Sequence, residues 1–194
     1  KKMKKIGLLL VMVATMLSYG TMAQTKVNWT NVSDAVAQGE KDGKKGKLIF
    51  IDCYTEWCKW CKVLDEKTFQ NDTIARILNY YFYPVKFDAE QQEDLTLKGI
   101  EYKATMNKKG GKGTHELMKL LWEGQRGGGY PSMVIRNSDF SPLTVIMGYY
   151  PAKDLEPQLI YFAEGYNKEM SIEKFTEQYE KEYRPAVLKK IFKD

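Results

Sequence analysis

Three cysteines, one histidine and six prolines are few for a chain of 194 residues. Each scarcity excludes something. A disulfide-stapled scaffold needs several dispersed cysteine pairs, whereas two of the cysteines here, Cys58 and Cys61, fall in one short stretch. A structural zinc site takes about four nitrogen or sulfur ligands. Cys53, Cys58, Cys61 and His115 lack a second paired motif, so no metal is expected. Internal repeats and low-complexity tracts are also missing. The longest uncharged apolar run, IGLLLVMVATML from Ile6 to Leu17, is shorter than the roughly 18 to 20 residues needed to cross a bilayer.

That run has Lys1, Lys2, Lys4 and Lys5 before it and the small, polar SYGTMAQ after it. This is the layout of a secretory signal peptide, with Thr21 and Ala23 at the −3 and −1 positions of a cut before Gln24. Residues 1–23 are therefore expected to be cleaved, and no cysteine follows the run to accept a lipid. Removing four of the 30 basic residues leaves 26 against 25 acidic ones. The net charge of +5 is thus mostly in the leader, and a phosphate-neutralising surface for nucleic acid is not expected. The expected setting is exported, periplasmic or otherwise extracytoplasmic, without stable membrane insertion after cleavage. In such a compartment disulfide chemistry persists.

The remaining length suits one domain. Ser33 reads as the cap of a short helix carrying Val32, Val36 and Ala37. KLIFIDCY, from Lys47 to Tyr54, is a nearly continuous apolar run of the kind found in strands buried on both faces. A helical period opens at Cys58 and another at Asp72, with Ile74, Ile77, Leu78 and Tyr81 on one face. YPVKFDA then reads as a second strand, parallel to the first. Residues 89–130 read as an insertion, an inserted helix THELMKLLWEG capped by Thr114 between two glycine-rich hinges. PSMVIRN and LTVIMGYY form an expected antiparallel hairpin, followed by a helix between Pro151 and Gly165. In the tail, Phe175, Tyr179 and Tyr183 recur every four residues, an aromatic stripe expected to pack on its own domain.

The motif YTEWCKWCK, Tyr54 to Lys62, ends the first strand. Read alone, it allows a redox couple, half a metal site or two buried thiols. A cysteine in the first turn of a helix faces free backbone N–H groups and the positive end of the dipole, which favour thiolate. Cys61 returns three residues later to the same face, one turn deeper. Cys58 is then the attacking thiol and Cys61 the resolving one. Lys59 and Lys62 add positive charge, or are simply solvated. Asp52 is a carboxylate inside an apolar strand, costly to bury without a partner or a task, and is the candidate proton acceptor for Cys61. Cys53, its neighbour, should point to the opposite face as a buried apolar residue. His115 is read as a cap-region or surface residue, and GGKGTH as a flexible turn that lacks the order of a phosphate loop. Trp57 and Trp60 read equally as a binding rim or as packing around the disulfide.

The stretch FIDCYTEWCKWCK resembles the strand and active-site signature of the thioredoxin superfamily, and the segment from Trp29 onward is similar to its secreted bacterial thioredoxin-like members. Asp52, Trp57, Cys58, Cys61 and Lys62 match position by position, and Pro131 in GGGYPSMVI, after Tyr130, matches the family's cis-proline. The resemblance implies an α/β thioredoxin-like fold: a central mixed β-sheet flanked by helices, a helical insertion before the cis-proline loop and an extra C-terminal helix. On this reading residues 24–166 form the domain, with the insertion at about 89–130, and 167–194 a helical extension. It further implies a redox-active disulfide between Cys58 and Cys61, with Asp52 assisting. Trp57, Trp60, Tyr130 and Pro131 would bind substrate through a free backbone edge. No dissociable cofactor is implied. The expected partners are disulfide-bearing protein substrates and a membrane electron-donor protein, with reduction as the direction. A disulfide oxidase or isomerase, or a non-catalytic binding module or chaperone for extended chains, is the alternative. Lys59-Trp60 between the cysteines departs from the Gly-Pro of thioredoxin itself and bears on the direction of electron flow.

Overall fold

The structure is a computed structural model, and it describes residues 24–43 and 46–193. The expected leader, residues 1–23, lies outside the described residues. α1 (Val32–Asp42) is followed by β1 (Leu48–Tyr54), α2 (Lys59–Leu64), a π-helical turn Asp65–Phe69, α3 (Asp72–Tyr81) and β2 (Phe82–Asp88). Then come β3 (Leu95–Leu97), β4 (Ile100–Tyr102), α4 (Leu117–Leu121), β5 (Ser132–Arg136), β6 (Pro142–Met147) and α5 (Ala152–Ala163). The chain ends with α6 (Ile172–Gln178), a π-helical turn Tyr179–Tyr183 and α7 (Arg184–Ile191).

The main sheet has the order β2-β1-β5-β6. β1 and β2 are parallel, while β5 is antiparallel to both β1 and β6. The crossover between parallel β1 and β2 needs a helical connection, which α2 and α3 supply. This is the mixed sheet flanked by helices that the resemblance implies. Alternation along β1 sends Ile49, Ile51 and Cys53 into one core with Val32, Val36, Val85, Phe87, Leu117 and Val134. Phe50 goes into the other with Leu64, Phe69, Ile74, Leu78, Met133 and Leu159. β1 is central and covered on both sides, which is why it reads as continuous apolar sequence. Asp52 shares the Phe50 face because side chains two apart on a strand point the same way.

Three local expectations are corrected. The cap of α1 is Asn31, whose side chain accepts the Asp34 amide at 2.9 Å, rather than Ser33. The insertion is not mainly a helix: its largest regular piece is the β3–β4 hairpin, paired Leu95↔Tyr102 to Leu97↔Ile100. Its two-residue turn, Lys98 and Gly99, has φ of 53° and 79°, and positive φ at both central positions is the geometry that matches strand twist. The helix read over THELMKLLWEG is confined to Leu117–Leu121 and is not capped by Thr114. His115 does that work instead. Its Nδ1 accepts the Leu117 amide at 3.1 Å, its own amide bonds Ala89 O at 2.7 Å, and the ring stands edge-on to Phe87. His115 is buried, not a surface residue.

Candidate active site

β1 delivers the chain to a turn in which the Cys58 amide bonds Thr55 O at 3.1 Å. Cys58 is extended (φ −73°, ψ 103°) and is the N-cap of α2, where its sulfur accepts the Cys61 amide at 3.1 Å. A disulfide joins Cys58 to Cys61 with Cα atoms 5.3 Å apart. No acidic residue stands in the first turn of α2, so nothing there offsets the free N–H groups that would stabilise a Cys58 thiolate. Cys61 lies one turn in, and both sulfurs belong to buried residues.

Beneath α2 lies a charge cluster that only part of the sequence reading anticipates. Asp52 is 1% exposed, and its Oδ2 accepts Lys86 Nζ at 2.6 Å. Lys86 is its Cα partner across the parallel β1–β2 pair. The same ammonium bonds Asp65, one helical turn after Cys61, which ties the Asp52 carboxylate to the C-terminal end of α2. Lys86 is further surrounded by Tyr54, Trp29 and Phe69, with ring centroids 5.0, 5.3 and 5.5 Å from Nζ, a cation–π environment. Burial pushes the Asp52 carboxyl up to about 6, against the pull of Lys86. Burial pulls Lys86 down, but Asp52 and Asp65 outweigh it and hold the ammonium above its ordinary value. Asp52 Oδ1 has no hydrogen-bond partner among the described residues. A buried carboxyl poised near neutrality with a free oxygen is suited to taking or giving a proton. Lys86 and Asp65 were not singled out from sequence. The available signal was a lone lysine in the apolar run YPVKFDA, opposite a lone aspartate in FIDCY.

Cys53 points away from this cluster into the other core, where burial pushes its thiol up. The Tyr130–Pro131 peptide is cis. Ser132, the next residue, pairs with Cys53, which places the proline loop at the dithiol end of β1. Pro131 O accepts the Gly148 amide at 2.8 Å, whereas the Tyr130 backbone makes no backbone hydrogen bond among the described residues. Trp57 and Trp60 are 66% and 56% exposed. Trp57 stands edge-on to Tyr130 at 5.9 Å and donates its indole N–H to Glu90 at 3.0 Å, while Trp60 lies 5.4 Å from Tyr149. Among the described residues no cluster of His, Cys, Asp and Glu could hold a metal ion, and no helix is long and apolar enough to cross a membrane.

A family model described as Thioredox_DsbH, protein of unknown function (DUF255), matches residues 17–185. Human spermatogenesis-associated protein 20 is 38% identical over 56 residues, which are 29% of this chain and 7% of that protein. An uncharacterized protein of Caenorhabditis elegans is 32% identical over 73 residues, 38% of this chain and 10% of that protein. The chain therefore spans a tenth or less of the length of these relatives. The solved structure of a DsbH oxidoreductase superposes with a TM-score of 0.52 at 14% identity, covering 74% of this chain and 89% of that one. That likeness is one of fold.

Proposed function

The chain belongs to the Thioredox_DsbH family, and from that premise we propose that it is a thiol–disulfide oxidoreductase acting on protein disulfides through Cys58 and Cys61. The observation that carries the reading is the disulfide at the N-terminus of α2, just past the strand that holds buried Asp52 and whose end pairs with Ser132, the residue after the cis Tyr130–Pro131 peptide. In the reductive direction, the Cys58 thiolate attacks one sulfur of a substrate disulfide, a mixed disulfide forms, and the other substrate sulfur leaves as a thiolate that takes up a proton. Cys61, losing its proton to Asp52, then attacks Cys58 and releases the second substrate thiol. The substrate gains two electrons and two protons, and the enzyme is left with the Cys58–Cys61 disulfide.

Trp57, Trp60, Tyr130 and Pro131 would hold an extended substrate strand, with the free Tyr130 backbone as its pairing edge. The proposed setting is extracytoplasmic after removal of residues 1–23. Each turnover then requires two electrons from another dithiol protein, for which a membrane-embedded donor is the fitting class. The test compares the reduced wild-type chain with Cys58→Ser in a protein-disulfide reduction assay. Wild type should reduce and the variant should be inert, with a Cys61→Ser variant accumulating mixed disulfides. Equal activity, or equal inertness, of wild type and Cys58→Ser sinks the reading in favour of a binding module. A measured reduction potential separates reductase from oxidase or isomerase.

A further inference from the structure

Residues 89–116 leave β2 and fold back onto the active-site loop at two points. Glu90 accepts the Trp57 indole N–H at 3.0 Å, and Lys112 Nζ lies 3.3 Å from Glu56, two residues before Cys58. Between these anchors the chain makes a shaped loop rather than a slack tether. Met106 and Lys112 pair as an antiparallel bridge, the Asn107 amide bonds Gly111 O at 2.8 Å, and the Asn107 side chain accepts the amides of Lys109 and Gly111. Gly113 packs so tightly that a Cβ there would stand 2.5 Å from Thr105 Oγ1 and 2.8 Å from the Met106 backbone. At the tip, Met106 is 76% exposed, with Lys108 and Lys109 beside it in solvent.

Most carboxylates in this region have a polar partner. Glu56 faces Lys112, Glu90 faces the Trp57 indole, Asp94 takes Lys103 and the Ala104 amide, Glu101 takes Lys103, and Glu116 takes the Lys103 amide. Lys59, Lys62, Lys108, Lys109 and Arg126 have no ion-pair partner among the described residues, nor has Glu93; residues 89–116 balance five acids with five lysines, but the stretch 104–115 holds Lys108, Lys109 and Lys112 and no acid, so the positive charge is local to the tip. Lys59 sits between the two cysteines, and Arg126 lies in the glycine-rich loop that leads to Tyr130. Uncompensated charge of one sign around a reactive group raises the encounter rate of a partner of the other sign, and salt screens it.

We propose that residues 89–116 form a specificity arm. Its lysine-rich tip, with Lys59 and Arg126, selects polypeptides whose disulfide is flanked by acidic side chains, and Met106 contacts an apolar residue of the same chain. This deepens the oxidoreductase reading and rests on it. The test uses the reduced full chain and two peptides of identical sequence around one disulfide, flanked by glutamates in one and lysines in the other. At low ionic strength kcat/KM should favour the glutamate peptide by about ten-fold or more. High salt should erase the preference, and the double variant Lys108→Glu, Lys109→Glu should weaken or reverse it. Equal rates, a preference for the lysine peptide, or a preference that neither salt nor the double variant moves overturns the proposal. If neither peptide is reduced, the oxidoreductase reading fails on its own. Cysteine-free forms of both peptides, titrated against wild-type tryptophan fluorescence, then decide the arm: tighter glutamate-peptide binding supports it, and equal affinity overturns it.

Discussion

Asp52 has its charge where the surroundings disfavour it, and this has consequences for both stability and rate. Its folded carboxyl is raised to about 6 from an ordinary 3.8, chiefly by burial. A raised carboxyl binds its proton more tightly in the folded than in the unfolded state. Stability therefore falls as pH rises from about 4 through about 6, and at neutral pH the ionised group costs the fold about 3 kcal/mol. Asp52→Asn should raise the unfolding free energy of the oxidised protein at pH 7.5 by about 1–3 kcal/mol, because Lys86 keeps Asp65 as a partner. The gain should vanish near pH 3, where both states of wild type are mostly protonated. Urea titrations at the two pH values check this, and a variant no more stable than wild type at pH 7.5 would contradict it. The same substitution should slow resolution of a Cys58 mixed disulfide by about 10²-fold, because Cys61 loses its proton acceptor. Single-turnover kinetics separate that step from the initial attack.

At the scale of elements, α2 makes its two cysteines unequal. Cys58, at the N-cap, has the Cys61 amide on its sulfur and free N–H groups nearby, whereas Cys61 is one turn further into the core. In the reduced protein, alkylation of Cys58 should follow a pH midpoint below the roughly 8.5 of an ordinary thiol, with Cys61 unmodified. Peptide mass spectrometry after iodoacetamide treatment reads both outcomes, and preferential labelling of Cys61 would reverse the assigned roles. The insertion is likewise held by backbone geometry. At Gly113, where a Cβ would strike Thr105 and the Met106 backbone, Gly113→Ala should open the 105–113 loop and increase amide hydrogen exchange there while leaving β1 and β5 protected. Unchanged exchange in the loop would show that its shape does not depend on that close approach.

At the scale of the whole molecule, the C-terminal helices complete the core that supports α2. Phe175 packs against Tyr166, Tyr179 and Tyr183, with ring centroids 4.8, 5.6 and 4.9 Å away. Buried Glu156 is held by Tyr179 Oη at 2.9 Å and Arg184 Nε at 2.6 Å. Lys190 reaches Glu164 at 2.6 Å, and Arg76 of α3 lies over the Phe192 ring. These contacts tie the tail to α3 and α5, which flank the sheet face bearing Asp52. Phe175→Ala should cost about 3–5 kcal/mol of stability, measured by urea unfolding. Dithiol reactivity should be retained below the transition, since the tail touches none of the reacting atoms. A loss under 1 kcal/mol would mean that the stripe is not part of the domain core.

The order of elements outside the insertion, the buried central strand, the dithiol at a helix start and the lone buried aspartate were all legible in sequence, because they rest on local period and on the cost of burying a charge. Ser33 has the residue type of a cap, but α1 begins one residue before it and is capped by Asn31. The β3–β4 hairpin had a visible signal in Lys98-Gly99 between LTL and IEY, obscured by the polar residues around it. Lys86, Asp65, Glu90 and Lys112 could not be found by local pattern. Lys86 meets Asp52 and Asp65, Glu90 meets Trp57, and Lys112 meets Glu56 across 21 to 56 residues of chain, and separation in sequence carries no signal of which side chain lies opposite. Sequence alone thus determined that two unequal thiols would stand at the end of a buried strand. Tertiary structure decided what surrounds them, because the register of β1 on β2 sets the charge under the helix and the folding back of the insertion sets the charge around the rim.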